Sequence, residues 1–159
     1  MNETKIWVDA DNCPQAVREV ILNKAKSFGL KVTYAANRII PFTFEDPLFT
    51  MHVCPETAGA ADDYIVSQAT EDDIVITKDI PLAQRLIDRK ITVINDRGTV
   101  FDQKKIRYMM EERELSMQMA ALGLKKGAGW SVFGKKELAA FSKTFCNILY
   151  QKGYKTPVL

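Results

Sequence analysis

The stretch Lys5-Ile6-Trp7-Val8-Asp9-Ala10-Asp11-Asn12-Cys13-Pro14 constrains this chain more than any other. Three apolar residues, Ile6 to Val8, run straight into Asp9 and Asp11, and a helical pattern begins at Pro14. Proline suits the first helical position, where its missing N–H has no partner in any case. The segment reads as buried strand, acidic turn and helix. That order puts two carboxylates at the carboxyl end of a strand, the edge at which open α/β sheets bind ligands. Cys13 falls at the helix start, where a thiol pKa drops. The sole histidine, His52, lies in a strand-like segment and offers it no base. A packed thiol and a structural histidine are therefore expected.

The same alternation continues. Val17, Val20, Ile21, Ala25 and Phe28 recur at helical spacing and Gly29 closes the helix. Leu30 to Ala36 and Phe49 to Val53 read as strands, separated by an irregular segment with a turn at Asp46-Pro47. Gly59 to Asp63 opens a short helix. Asp73 to Thr77 is a compact buried strand, Ile80 to Ile87 a helix, and Ile91 to Ile94 a further strand closed by Asn95-Asp96-Arg97-Gly98. Strands alternating with helices predict βαβ units and a parallel sheet. After Gly98 the pattern changes to a long charged helix from Asp102 to Leu122, a Gly- and Lys-rich loop, and a last helix from Lys135 to Tyr150. With 159 residues, one domain is expected: an alternating core over 1–98 and a helical, basic part over 99–159.

Charge divides at the same place. Residues 1–96 hold 10 Lys and Arg against 15 Asp and Glu, whereas residues 97–159 hold 12 against 5. An acidic half beside a basic half predicts a cation site next to a surface for an anionic partner. Three cysteines with no CxxC pair argue against a zinc ribbon and suit a reducing cytosol. No basic region followed by a long apolar run opens the chain, and no stretch approaches the ~18 apolar residues of a membrane span. A cytoplasmic protein without a membrane partner is expected.

Three strands end in aspartate, at Asp9, Asp79 and Asp96, with Asp11 two residues beyond the first and Asp62-Asp63 opening a helix. Adjacent parallel strands lie about 4.8 Å apart, so carboxylates at their ends converge. Crowded carboxylates repel one another and need a cation when ionised. Hard oxygen donors select Mg²⁺ or Mn²⁺. An Asp after a strand also serves as a cap or turn residue. That simpler role is expected for Asp63, Asp72 and Asp73, and competes evenly for Asp11. Lys78 is either a phosphate contact or a solvated lysine. Asn12 and Asn37 orient substrate or only shape turns, and Arg97 clamps a phosphate or pairs with Asp96. The loop carrying Lys125, Lys126, Lys135 and Lys136 around Trp130 and Phe133 mixes cations with aromatics, as single-stranded nucleic-acid surfaces do. Alternatively its aromatics pin the loop to the core.

The runs VDADNCP, AADDYIV, DIVITKDIPLA and NDRG resemble the YaiI/YqxD family of bacterial proteins over essentially the whole chain. That family in turn resembles PIN-domain nucleases. The resemblance implies a PIN-like three-layer α/β domain, with a central parallel sheet, helices on both faces and a C-terminal helical segment. It also implies a Mg²⁺ or Mn²⁺ site that cuts RNA. By this analogy Asp9, Asp62, Asp79 and Asp96 match the acidic quartet that holds the metal, and Asp11 belongs to the family's own motif. This chain carries Asp63 where relatives often have Asn, and NDRG where they often have NPRG.

The leading expectation is a metal-dependent, endoribonuclease-like hydrolase. Its catalytic residues are Asp9, Asp11, Asp62, Asp79 and Asp96, and its substrate contacts Asn12, Asn37, Lys78, Arg97, Lys125 and Lys126. RNA and a second copy of the chain are the expected partners. One competitor is a haloacid dehalogenase-like phosphatase using Asp9, Asp11 and Lys78, although Asn12-Cys13 replaces the Gly-Thr or similar pair expected after its DxD. The other is an RNA-binding domain without catalysis.

Overall fold

The computed structural model describes residues 3–124 and 132–155. Five parallel strands form one sheet: β1 (Ile6–Asp9), β2 (Val32–Ala36), β3 (Phe49–Val53), β4 (Ile74–Ile76) and β5 (Thr92–Ile94), in the order β3-β2-β1-β4-β5. Helices α1 (Gln15–Phe28), α2 (Ala60–Gln68) and α3 (Ile80–Ile87) connect the strands. Helices α4 (Gln103–Ala121) and α5 (Lys135–Gln151) follow the sheet. The expected α/β class, parallel sheet and C-terminal helical part are all present. Among the described residues no helix is long and apolar enough to cross a membrane.

Residue parity along each strand decides which layer it feeds, because successive side chains point to opposite faces. Ile6, Val8, Val32, Tyr34, Ile74, Ile76 and Ile94 pack against Val17, Ile21 and Leu22 of α1 and Phe141 and Phe145 of α5. Trp7, Ala35, Val75 and Val93 pack against Ile65 of α2, Leu82 and Leu86 of α3 and Ile106 of α4. The sheet is therefore covered on both faces, which is why its strands read as nearly unbroken apolar runs.

Three local details depart from the expected boundaries. Pro14 sits at the N-cap of α1 and not at its first turn. Leu30 belongs to the end of α1: Gly29 adopts φ 69° and the Leu30 N–H reaches back to the Ala25 carbonyl, a glycine-dependent helix stop. Strand β4 is only three residues long, Ile74–Ile76, and the side chains of Asp73 and Thr77 at its two ends bond to β1 residues. In α4, Ile106 alone among the described residues is buried, while Tyr108, Met110, Leu115 and Met117 are exposed.

Gly98, in the loop after β5, is fixed by two constraints. Its φ is +83°, and a Cβ there would stand 2.6 Å from the backbone oxygen of Ala140 in α5. Gly59 has a similar φ of +77° with nothing within 4 Å. The comparison separates strain from collision. Gly59→Ala should cost about 1 kcal/mol from the left-handed backbone alone, and Gly98→Ala about 3 kcal/mol once overpacking against α5 is added. Urea denaturation of the two variants measures the difference; equal losses would mean that α5 simply moves aside.

Candidate functional site at the carboxyl edge of the sheet

In this strand order β1 is followed by β2 on one side, and β4 later takes the other side. The crevice between the ends of β1 and β4 is thus a topological switch point, where doubly wound sheets bind ligands. Asp9 ends β1 there, half-buried. Thr77, just past β4, is buried and donates its hydroxyl to Asp9 Oδ2 at 2.8 Å. The same hydroxyl oxygen accepts the Asp79 N–H at 3.0 Å. One side chain therefore ties the first acid of the edge to the backbone of the second.

Asp79 has two tasks. Its Oδ1 accepts the Leu82 N–H at 3.0 Å and caps α3, the capping role that its strand-end position shares with any such aspartate. It also lines a hollow of about 290 Å³ together with Asp9, Asp11, Asn12, Asn37 and Asp62. Asp62 enters this hollow from the first turn of α2. Asp96, which is buried, lies instead in a small adjoining pocket with Asp9, Asn12, Cys13, Thr77 and Lys78. Asp9 is the carboxylate common to both spaces. Among the described residues no group of three or more His, Cys, Asp and Glu side chains is gathered closely enough to hold a metal ion.

Crowding is visible in the protonation equilibria. Burial, and then the negative charges of Asp79 and Asp9, push the Asp62 carboxyl up to about 6. Asp9 is also raised, by burial first and by Asp79 and Asp11 after it; the Thr77 hydroxyl and nearby Lys78 oppose the rise. Cys13 is the expected packed thiol: burial outweighs its place near a helix start and drives its pKa up to about 12, aided by Asp96 and Asp9 and opposed by Arg18. Its thiol is neutral and packed.

Other sequence-predicted residues fall as follows. Asp11 does not cap α1; it accepts the Asn37 N–H at 3.3 Å and the Arg38 Nε–H at 3.4 Å, joining the turn after β1 to the exit of β2. Asn12 is exposed and lines both spaces, and Lys78 is exposed beside Asp9. The Arg97 guanidinium lies over the Phe133 ring, 5.7 Å from its centroid, and Phe133 packs against the core below. Lys125, Lys126 and Trp130 lie outside the described residues. His52 stacks on Tyr64 at 3.6 Å with the rings nearly parallel, consistent with a structural role. Asp63 is exposed and pairs with Arg85 at 3.0 Å, and the buried Asp73 accepts the N–H groups of Lys5, the Trp7 indole and Thr70. The residue missed by sequence reasoning is Thr77. Its signal was a hydroxyl two residues before Asp79, at the end of an otherwise apolar strand.

A family model described as an uncharacterized YaiI/YqxD family matches residues 7–151. The chain is 41% identical over 145 residues to a UPF0178 protein of Treponema denticola, covering 91% of each chain. It is 37% identical over 147 residues to a UPF0178 protein of Aliivibrio fischeri, covering 91% of this chain and 96% of that one. A UPF0178 protein of Treponema pallidum is 36% identical over 137 residues, covering 86% and 76%. No solved structure matches significantly.

The raised Asp62 carboxyl has a stability consequence. Its folded value of about 6 lies above the ordinary 3.8. Between those pH values the folded protein keeps a proton that the unfolded chain has lost. Stability from this group is thus fully present below about pH 4 and lost as the pH rises through about 6. In metal-free buffer Asp62→Asn should stabilise the protein at pH 7 by less than about 1 kcal/mol, solvent screening removing most of the repulsion. Chemical denaturation at pH 7 and pH 4 should show the gain at the first and none at the second.

Proposed function

The chain belongs to the YaiI/YqxD family, and from that premise we propose that it hydrolyses phosphodiester bonds in RNA with the help of Mg²⁺ or Mn²⁺. The observation that carries this reading is the convergence of Asp9, Asp62 and Asp79 on one hollow at the switch point, close enough for each of the other two to raise the Asp62 carboxyl. Evenly solvated carboxylates would have no such effect, and a site this negative is relieved by a cation. The resemblance to PIN-domain nucleases points the same way.

The donor set suits the ion, since carboxylate and amide oxygens are the ligands of Mg²⁺ and Mn²⁺. Mg²⁺ is usually held by one or two carboxylates and completed by water and substrate phosphate. Asp9 would be the central ligand, with Asp62 and Asp79 on one side and Asp96 on the other. A divalent cation bound there supplies an acidified water and neutralises charge on the phosphate. The chain's own residues prepare the site. Thr77 fixes the rotamer of Asp9 and the backbone of Asp79, so neither acid must be reoriented when substrate arrives. Lys78, exposed at the rim, presents a point charge to a phosphate oxygen, and Asn12 offers an amide from the facing turn.

Asp9→Asn tests the reading with little disturbance, because the amide oxygen still accepts the Thr77 hydroxyl. Cleavage of unstructured RNA in Mn²⁺ should fall at least about 100-fold with the melting temperature nearly unchanged, a loss typical of removing one charge-stabilising group. Calorimetry should show Mn²⁺ affinity weakened in the same variant, more so with a non-cleavable oligonucleotide present. Undiminished cleavage by Asp9→Asn would sink the proposal.

A further inference from the structure

Beyond Lys78, on the side away from Asp62, the sheet edge continues into a second groove. It has a volume of about 400 Å³ and runs between the ends of β4 and β5 and the flank of α4. Its walls include Lys78, Asn95, Phe101, Tyr108, Glu112 and Arg113. Lys78 is a wall both of this groove and of the pocket holding Asp9 and Asp96, so the two spaces adjoin at one side chain. In the order β1-β4-β5 the ends of β1 and β5 are about 10 Å apart, two strand spacings. A short run of nucleotides covers that distance.

The groove differs in chemistry from the acidic hollow beside it. Its charged walls are two cations against one carboxylate. Phe101 is buried at its base, whereas Tyr108 is 63% exposed, leaving most of a large ring uncovered. An uncovered aromatic ring flanked by cations is the combination that binds single-stranded nucleic acid: bases stack on the ring while cations follow the backbone. A duplex cannot use it in the same way, because its bases are already stacked on one another.

We infer that this groove is a base-binding subsite, in which a nucleotide next to the scissile phosphate stacks on Tyr108 while Lys78 and Arg113 take the neighbouring phosphates, so that the protein selects single-stranded over duplex RNA. The inference rests on the RNA-hydrolysis reading for its substrate, but it makes a separate claim about binding. The test therefore measures binding by the otherwise wild-type chain with Mg²⁺ present, using a short labelled non-cleavable oligoribonucleotide analogue and the duplex of the same sequence.

Adding Tyr108→Ala should weaken single-strand binding roughly 5- to 100-fold, the effect of losing one stacked base. Tyr108→Phe should restore it, and the weaker duplex binding should not respond to either change. Tyr108 is exposed on a helix surface, so both variants should melt with the parent protein. Single-strand affinity indifferent to Tyr108→Ala, failure of Tyr108→Phe to restore it, or no single-strand binding by the parent would each overturn the subsite. Cleavage assays on the otherwise wild-type chain keep the two ideas apart. Cleavage with Tyr108-independent binding removes the subsite alone, and Tyr108-dependent binding without cleavage removes the hydrolase alone.

Discussion

Asp73 accepts the Lys5 N–H and the Trp7 indole N–H at 3.0 Å each and the Thr70 N–H at 2.9 Å. With those three bonds the carboxylate fastens the start of β4 to β1 and to the turn that follows α2. It is buried, and a buried charge is tolerated only where donors surround it. At the other end of the same strand pair Thr77 bonds to Asp9. Between these two polar clamps the pairing Ile6↔Ile74, Trp7↔Val75 and Val8↔Ile76 is wholly apolar. The register of β1 against β4 is therefore pinned at both ends, and the placement of every carboxylate at the carboxyl edge depends on it.

A sheet buried on both faces leaves little room for polar chemistry except at the strand ends. Asp9, Thr77, Asp79 and Asp96 follow that rule. The strand order then gathers them, because the return of the chain from β3 to β4 opens the crevice beside β1. Aspartates far apart in sequence become electrostatic neighbours, and their repulsion adds to burial in raising the Asp62 and Asp9 carboxyls.

Helix α4 stands apart from this economy. It runs for 19 residues yet buries Ile106 alone among the described residues. The hydrophobic layer over α3 therefore ends early, and the flank of α4 is left as the wall of a groove beside Lys78. The same helix that closes the second core also extends the site edge beyond the sheet.

By itself the sequence determined the α/β class, the parallel sheet, its strands and most helices, because apolar runs and helical periodicity report burial directly. It also marked Asp9, Asp79 and Asp96 as strand-end acids and Asp73 as a structural one. Only the tertiary structure decided that Asp62 and Asp79 share a hollow with Asp9 while Asp96 occupies the adjoining pocket. It alone showed that Asp11 ties two turns together without capping α1. Thr77 and Gly98 belong to the same group. The first acts through a bond to a residue 68 positions away, and the second is required by the backbone of α5. Periodicity carries information about a residue's own element; which distant groups meet across elements is fixed by strand order and close packing, which a local pattern does not encode.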